Sequence, residues 1–431
     1  MSEDYIDCYY SRTLNDEVSY SSLQDDVDTQ VCIIGGGLAG IATALGLVER
    51  GKKVVVLESD KIGYGASGRN GGFVLSGFAC SYKNILKKVG LEDTKALYGL
   101  TKDAQKLIRN RIKTHKIKCD PLDGHLIASW FEDSSSLDAR REFYNEHFSE
   151  NLESWPKKKM ESVLKTDCYF DGLFCPDDFH MHPLNYLRSC AEIAYKKGAL
   201  IFEKSRAIDY KETVSGLHVF TDKGTVRADH IVFCGSAYFN DLQKNLKRSC
   251  LPVRTYVVKT EPISEDLLKE TISVPYAIRD TRWADDYYRI LPDNSILWGG
   301  RVGLGSAPNN LDELMLSDMK KIYPQLKNVK AEVSWSGLMG YSVHQMPHIG
   351  RFQDNIWFNT NFGGNGVGPT TAGAEVIASA IAEQDERYRL FKPFGFAYTG
   401  GPAGPLMAQA IYYGWEIADW IRNLQNRKKA A

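Results

Sequence analysis

The sequence predicts an α/β fold class: a Rossmann-like, dinucleotide-binding domain interleaved with an α+β domain built on an antiparallel sheet. Three observations predict it. A short β-branched strand runs into a glycine-rich turn and a helix near residue 35. The same order, strand to glycines to helix, returns near residue 365. Between them the chain passes through a helix–strand region and then a long run of alternating strands.

The first element is Val31–Ile34, "VCII", an apolar run fit for a buried parallel strand. Gly35, Gly37 and Gly40 follow in the spacing G-x-G-x-x-G. That spacing alone is a weak signal, because ordinary glycine loops contain it. Its context is stronger. Leu38 and Ala39 lead into "IATALGLVERG", rich in Ala and Leu, with Gly51 placed to end a helix. "KKVVVLES" is a second buried strand that ends at Glu58. Glycines at this junction allow a sharp turn, a close backbone approach to a pyrophosphate, and tight packing of helix on strand. A carboxylate at Glu58, about 20 residues past the first glycine, accepts hydrogen bonds from both ribose hydroxyls of an adenosine. It repels a 2′-phosphate, which argues against NADP. At this point FAD and NAD both remain open.

Bulk properties narrow the class. A chain of 431 residues calls for two or three domains. Hydrophobic residues make up 43% and charged residues 25%, an ordinary soluble composition. A net charge of −1 provides no field favouring nucleic acid or an anionic membrane. The nine cysteines include no C-x-x-C pair. An odd, scattered set suits free thiols in a reducing compartment better than a disulfide frame or a zinc site, so no metal is expected. Cys32 and Cys234 lie in apolar strands and read as small core residues. The acidic, polar start "MSEDYIDCYYSRTLNDEVSY" is unlike a signal peptide. The longest apolar stretch is interrupted by glycines, so no transmembrane helix and a cytoplasmic location are expected.

Farther along, residues 86–160 are charged and mostly helical, with Leu100, Ala104, Leu107 and Ile108 on one face. From residue 186 a helix, Gly198 and a strand restore the βαβ pattern, and two strands turn at Lys223–Gly224 and end at Gly235. Residues 249–337 alternate between strands. The expected nucleotide-binding domain is therefore built from 25–85, 160–248 and 338–431. The substrate domain is built from 86–159 and 249–337, after an N-terminal extension over 1–24.

The late turn favours a flavin over NAD alone. "FGGNGVGPTTAG", residues 362–373, offers a second helix N-terminus. An enzyme using NAD alone has no need of it, whereas the flavin N1–C2=O2 edge gains negative charge on reduction and is stabilised there. Gly364, Asn365, Gly366, Val367 and Gly368 are the expected contacts, with a plain turn before Pro369 as the alternative.

"GYGASGRNGGFV", residues 63–74, follows the Glu58 strand directly. With it the chain resembles the D-amino-acid oxidase family of FAD-dependent oxidoreductases, and within that family the γ-glutamylputrescine oxidoreductase branch. The resemblance spans nearly the whole chain, through "YYSRT", "HMHPLNYL", "LPVRTYVVKTEP", "YYRILPDNSILWGG", "WSGLMGYSVHQMPHIG" and "TGGPAGPLM". It implies FAD and oxidation of a C–N bond. It also implies that Ser67, Gly68, Arg69, Asn70, Gly71 and Gly72 pass under the pyrophosphate toward the flavin N5 side. Ala207 is implied as a strand residue that meets the adenine through its backbone, and Gly235 joins the same set. Some relatives attach flavin through a His in this loop or a Cys near the W-x-G segment. Arg69 and Gly337 stand at those places, so non-covalent FAD is expected. A second nicotinamide fingerprint is absent, which argues against a disulfide reductase.

Flavin oxidation of an amine needs orientation, desolvation and a proton acceptor, and no metal or nucleophile. No catalytic residue is assigned. His180 and His182 read as a structural turn before Pro183. Substrate-side candidates are Tyr256 and Tyr288 as an aromatic cage for an amine, His344 beside the flavin loop, and Met339. For the tyrosines and the histidine, a structural role is the alternative. Relatives that oxidise glycine or D-amino acids carry an arginine in W-x-G-L-R-P that pairs with the substrate carboxylate. Here "WSGLMG" puts Met339 in that place and Gly340 in the proline's. An unpaired carboxylate is costly to bury, and Met suits an alkyl channel. Arg289 is the possible rescue, with Asp285 or Asp286 as its expected partners.

The expected function is therefore FAD-dependent oxidation of a C–N bond in an aliphatic amine, of polyamine or γ-glutamyl-polyamine type. One alternative is a glycine, sarcosine or D-amino-acid oxidase or dehydrogenase. Another is a flavin-bearing accessory subunit that docks through Tyr412, Trp415, Ile417 and Trp420, which otherwise pack back on the protein. The expected partners are a small-molecule amine and an electron acceptor, with no nucleic acid. Some family oxidases hold a Lys over the flavin in the strand matching 295–299. Here it reads "SILWG", with Lys259 the nearest substitute, so oxygen and other acceptors both remain open.

Overall fold

The structure, a computed structural model, describes residues 5–214, 216–239, 242–303 and 307–429. Its first sheet runs, edge to edge, through His348–Gln353, Ile356–Thr360, Thr225–Phe233, Val27–Ile34, Val54–Leu57 and Leu200–Phe202. The last five are parallel, and His348–Gln353 is antiparallel to its neighbour. The ribbon Asp209–Thr213 with Gly216–Phe220 extends from Thr225–Phe233. Strand alternation splits the apolar residues between two cores. Val31, Ile33, Val54 and Val56 face a helical layer made of Leu38–Val48, Tyr82–His115, Pro183–Lys196 and Val367–Glu383. Cys32, Ile34, Val55 and Leu57 face Leu217, Val219 and Phe239 on the other side. Both Cys32 and Cys234 are buried, as expected.

The second sheet runs through Ala331–Tyr341, Leu251–Thr260, Ile296–Gly303, Tyr287–Ile290, Ala277–Asp280, Leu122–Ala128, Gly172–His180 and Phe73–Val74. It is antiparallel except where Ala277–Asp280 lies parallel to Leu122–Ala128. Helix Leu311–Ile322 covers its back, over a core of Tyr169, Tyr288, Trp298 and Tyr323.

The sheets place several segments differently from the expected division; Phe73–Val74, expected within 25–85, pairs with Gly172–His180 in the second sheet. Gly172–His180, expected within the 160–248 part of the nucleotide domain, pairs with Leu122–Ala128 in the second sheet. Its polar centre, "PDD", concealed the strand. Helix Tyr82–His115, most of it expected in the substrate domain, packs Ile85, Leu97, Leu100, Ala104 and Ile108 into the first sheet's helical core. Its charged outer face hid that allegiance. Among the described residues, no helix is long and apolar enough to cross a membrane.

Candidate active site

A cavity of about 1630 Å³ opens where Ile34 and Leu57 end two neighbouring parallel strands and Cys234 follows the end of a third, Thr225–Phe233. Ligands of open α/β sheets bind at such carboxyl ends. Gly35 turns the chain there at φ +115°, and a Cβ on it would lie 2.8 Å from the Cys234 carbonyl oxygen. A Cβ on Gly40 would collide with the Gly35 carbonyl. Gly37 caps helix Leu38–Val48 with no side-chain acceptor of its own. Ser67 Oγ instead accepts the Leu38 N–H at 2.9 Å.

Glu58 closes this end. Its carboxylate accepts the Gly36 N–H at 2.6 Å and the Asp60 N–H at 2.9 Å. Burial pushes its pKa up, and those backbone donors pull the other way. At the late turn, Gly366 precedes helix Val367–Glu383, and a Cβ on Gly364 would come within 2.6 Å of Tyr341 Oη. A glycine cradle with no room for side chains, a buried carboxylate at a strand end and a second helix start fit a flavin dinucleotide.

The loop between them is held from both sheets. Asn70 Oδ1 accepts the Gly72 N–H at 2.8 Å, and its Nδ2 donates to the Ala66 and Ser67 carbonyls. Trp335 Nε1 donates to the Arg69 carbonyl at 2.9 Å, while Arg69 donates to the Tyr64, Gly65 and Ser336 carbonyls. Of the expected cofactor residues, Gly35, Gly37, Leu38, Ala39, Glu58, Ser67, Arg69, Asn70, Gly71, Ala207, Gly235, Gly364, Asn365, Gly366 and Val367 line the cavity. Gly40, Gly68, Gly72 and Gly368 stand behind it, each with backbone so close that a Cβ would not fit. Ala207 lies in the loop between Leu200–Phe202 and Asp209–Thr213, not in a strand as expected.

The substrate side needs three corrections. Tyr288 is fully buried in the second sheet's back core, stacked 4.2 Å from Trp298 and bonded through Oη to Tyr323 and Tyr169. Tyr256 lies in the same core. Alternation along the strands turns Leu251, Val253, Thr255 and Tyr287 to the cavity instead. His344 is structural. Its Nδ1 accepts the Met346 N–H at 3.1 Å, and its Nε2 meets the Gly395 carbonyl at 3.2 Å, off the cavity wall. Arg289 does not pair with Asp285 or Asp286. It is buried and donates to the Gly71 and Met181 carbonyls, to Tyr10 Oη and to His180 Nδ1. Lys259 is paired with Asp293 and Glu332, away from the cavity.

Met339 does line the cavity, beside Gly337 and Leu338 and opposite Val253 on the next strand. Tyr287 and Tyr341 add aromatic walls, and burial pushes the Tyr341 hydroxyl up to about 12. Asp285 joins them, 2.9 Å from Arg279; burial raises its pKa and Arg279 opposes the rise. Sequence reading singled out neither Tyr287 nor Asp285 for the substrate, although both adjoin residues that it named. His125, Cys175 and Asp178 bring ligand-type atoms within 4.8 Å of one another. His125 and Asp178 already bond each other at 3.0 Å, and burial pushes the Cys175 thiol up.

The tail closes one wall. Met407, Ile411, Tyr412 and Trp415 line the cavity, Trp415 stacks on Trp283 at 5.9 Å, and Asp419 accepts the Trp283 and Ala284 N–H groups. Ile417 and Trp420 remain exposed.

Comparison with known proteins follows the same lines. The profile of the DAO family, FAD dependent oxidoreductases, matches residues 30–380. The chain is 31% identical over 396 residues to the probable oxidoreductase OrdL of Haemophilus influenzae, covering 90% of this chain and 91% of that one. It is 31% identical over 391 residues to the γ-glutamylputrescine oxidoreductase of Escherichia coli K12, covering 90% and 92%. The fold is similar to the crystal structure of L-proline dehydrogenase from P. horikoshii, with a TM-score of 0.72 at 18% identity over 86% of this chain and 98% of that one.

Proposed function

We propose that this chain, which belongs to the DAO family of FAD-dependent oxidoreductases, oxidises a C–N bond in an aliphatic amine of polyamine or γ-glutamyl-polyamine type. The observation that carries this reading is the wall beside Gly337. It is apolar, formed by Leu338, Met339 and Val253. The arginine that was to compensate, Arg289, is bound to the carbonyls of Gly71 and Met181. A substrate carboxylate at this point meets apolar side chains, while the arginines that line the cavity nearby, Arg69 and Arg279, are bound to carbonyls and to Asp285, so it carries a desolvation cost. A cationic amine does better, since aromatic faces and a carboxylate attract it. Tyr287, Tyr341 and Asp285 provide both.

FAD, when bound, supplies the two-electron acceptor for a hydride from the carbon that carries the amine. The first glycine turn, Glu58, Ser67 and the helix start at Gly364–Val367 are the residues that would hold it. Arg289 and Trp335 fix the backbone of the Arg69–Gly72 loop. Asp285, whose pKa burial raises, takes one proton from the ammonium so that its nitrogen lone pair is free.

FAD is held without a covalent bond. The cavity cysteines Cys80 and Cys234 are poor nucleophiles, because burial pushes the first thiol up to about 11 and the second higher still. Acid precipitation of the yellow protein is expected to leave all the colour in the supernatant; colour fixed to the pellet would contradict this. The nine cysteines are all free, which supports the expected reducing, cytoplasmic setting.

The reading is tested by anaerobic flavin reduction across polyamines, acylated polyamines, N-methyl amino acids and D-amino acids. Polyamine-type compounds are expected to bleach the flavin. Reduction by glycine, sarcosine or D-alanine, and by no polyamine derivative, would overturn the assignment.

A further inference from the structure

The last helix, Gly404–Lys429, is amphipathic in the reverse sense of an ordinary surface helix. Its polar side chains face the protein. Gln409 donates to the Val302 carbonyl, Asp419 accepts the Trp283 and Ala284 N–H groups, and Glu416 lies within electrostatic reach of Arg301. Its outward face is the apolar one. Every exposed residue from 406 to 421 is uncharged, and Leu406, Met407, Tyr413, Ile417, Trp420 and Ile421 are the large ones. Leu406 is 67% exposed and Trp420 62%. At 1.5 Å per residue this stripe is about 24 Å long. Single apolar residues on a surface need no account, whereas a contiguous stripe marks an interaction site.

Two observations say what covers it. The first is charge, because both ends of the stripe are basic. Helix Lys244–Ser249, which exposes Lys244, Lys247 and Arg248, lies beside its start. The Thr399 N–H donates to the Arg248 carbonyl at 3.0 Å, and the Arg248 guanidinium is 5.4 Å from the Tyr398 ring. At the far end Arg422 is exposed, and the sequence closes the helix with Arg427, Lys428 and Lys429. The second is size. Ten exposed residues form the stripe, against about 20–30 a side in a standard protein–protein interface. A bilayer asks for less: an apolar helix face sunk at the headgroup–acyl boundary, aromatic rings at that level, and Lys and Arg against anionic headgroups. Tyr413 and Trp420 are such rings.

We propose that helix Gly404–Lys429 lies flat in the surface of an anionic bilayer, with its apolar stripe against the acyl chains and its basic flanks against the headgroups. The inward contacts of Gln409 and Asp419 keep the helix along the protein, so it rests in the membrane surface rather than crossing it. Met407 and Ile411 belong both to the stripe and to the cavity wall, so binding sets the candidate active site at the lipid boundary. The proposal is independent of which substrate the cavity takes.

The test is flotation of the full-length, FAD-loaded protein over a range of lipid concentrations, with vesicles of phosphatidylcholine alone or mixed with phosphatidylglycerol. Binding to the anionic vesicles is expected to be at least about tenfold tighter than to the neutral ones, and to weaken as salt is raised. Ile417→Asp with Trp420→Asp puts two charges into the stripe and is expected to weaken binding about a hundredfold or more. Both side chains are exposed, so FAD content and circular dichroism are expected to match the wild type. Arg427→Gln, Lys428→Gln and Lys429→Gln together leave the stripe intact and are expected to remove most of the preference for anionic vesicles, which keeps the test open if the Asp variant misfolds. Flotation with neither vesicle, equal binding to both, or binding unchanged by both sets of substitutions would overturn the proposal. So would light scattering that finds the free protein dimeric and Trp420→Asp monomeric, because a second copy would then cover the stripe.

Discussion

Gly40→Val is expected to yield protein without FAD, weakening the cofactor's affinity at least ~1000-fold, or about 4 kcal/mol. The reason is steric. A Cβ at position 40 collides with the Gly35 carbonyl, and Gly35 cannot retreat, because it is already at φ +115° with the Cys234 carbonyl behind it. Relief requires helix Leu38–Val48 to move off its strand, which removes the turn and the helix N-terminus together. Gly51→Ala is the control. Its φ of +73° strains an alanine, a strain that Gly40 in its helix does not share, but there is open space around it and it has no place on the cavity. It is expected to cost about 1 kcal/mol of stability and no FAD. Flavin absorbance per protein after gel filtration, with circular dichroism to establish folding, reads both. Glu58→Ala keeps the turn's glycines while removing the acceptor for the Gly36 and Asp60 N–H groups. It is expected to weaken FAD by about 30- to 100-fold, as for the loss of a charge-assisted contact. A folded Gly40→Val protein carrying a full complement of FAD would show that the turn does not hold the dinucleotide.

What could be read from the sequence follows from how local each cause is. The strand–glycine–helix turns are local. Gly35 and Gly40 are dictated by backbone packing within a few residues, and the structure finds them doing what their spacing implies. Strand orientation is not local. Tyr288 and Tyr287 are adjacent and chemically identical, and the choice between core and cavity is made across the sheet, where Tyr288 pairs with Trp298 and Tyr287 with Gly299. A sequence in which both residues suit either face does not reveal it. Arg289 was similarly ambiguous: its acidic neighbours in sequence look like partners, yet the fold brings it to carbonyls at positions 71 and 181. His125 stands in no motif at all. It meets Asp178 because Gly172–His180 joins the second sheet, a pairing concealed by polar residues in mid-strand.

Acidification below pH 6.5 is expected to destabilise the protein steeply, with three buried histidines as the main cause. Each is fixed as a neutral ring. His182 Nδ1 accepts the Asn185 N–H at 3.0 Å, capping helix Pro183–Lys196. His180 Nε2 donates to the Pro275 carbonyl at 2.7 Å, leaving its Nδ1 to accept from Arg289 at 3.0 Å. His348 Nδ1 meets the Asn361 amide at 3.0 Å. A proton on any of these Nδ1 atoms would face an existing donor. Burial, aided for His180 and His182 by Arg289 and for His348 by His344, pushes all three down to about 3. A depressed histidine contributes stability that is complete above its unfolded pKa of about 6.5 and is lost as pH falls from there toward the folded value. The three together are worth about 5 kcal/mol between pH 6.5 and pH 5. Asp286 acts with the opposite sign: burial raises it to about 7, so the folded state takes up a proton there that the unfolded state does not. That offsets about one histidine's share. Glu58, Asp285, Glu416 and Asp419, which burial also raises, act in the same direction, so the net loss is smaller than the histidines alone would give. Urea midpoints at pH 7.5, 6 and 5 with saturating FAD measure it. His182→Asn isolates one proton, since an Asn side chain retains the helix cap but does not titrate. Its stability is expected to fall less steeply than wild type by about 1.4 kcal/mol per pH unit well below pH 6.5. A variant with the wild-type slope would mean that the His182 ring gains a proton in the folded state, and the donor assigned to its Nδ1 would have to be wrong.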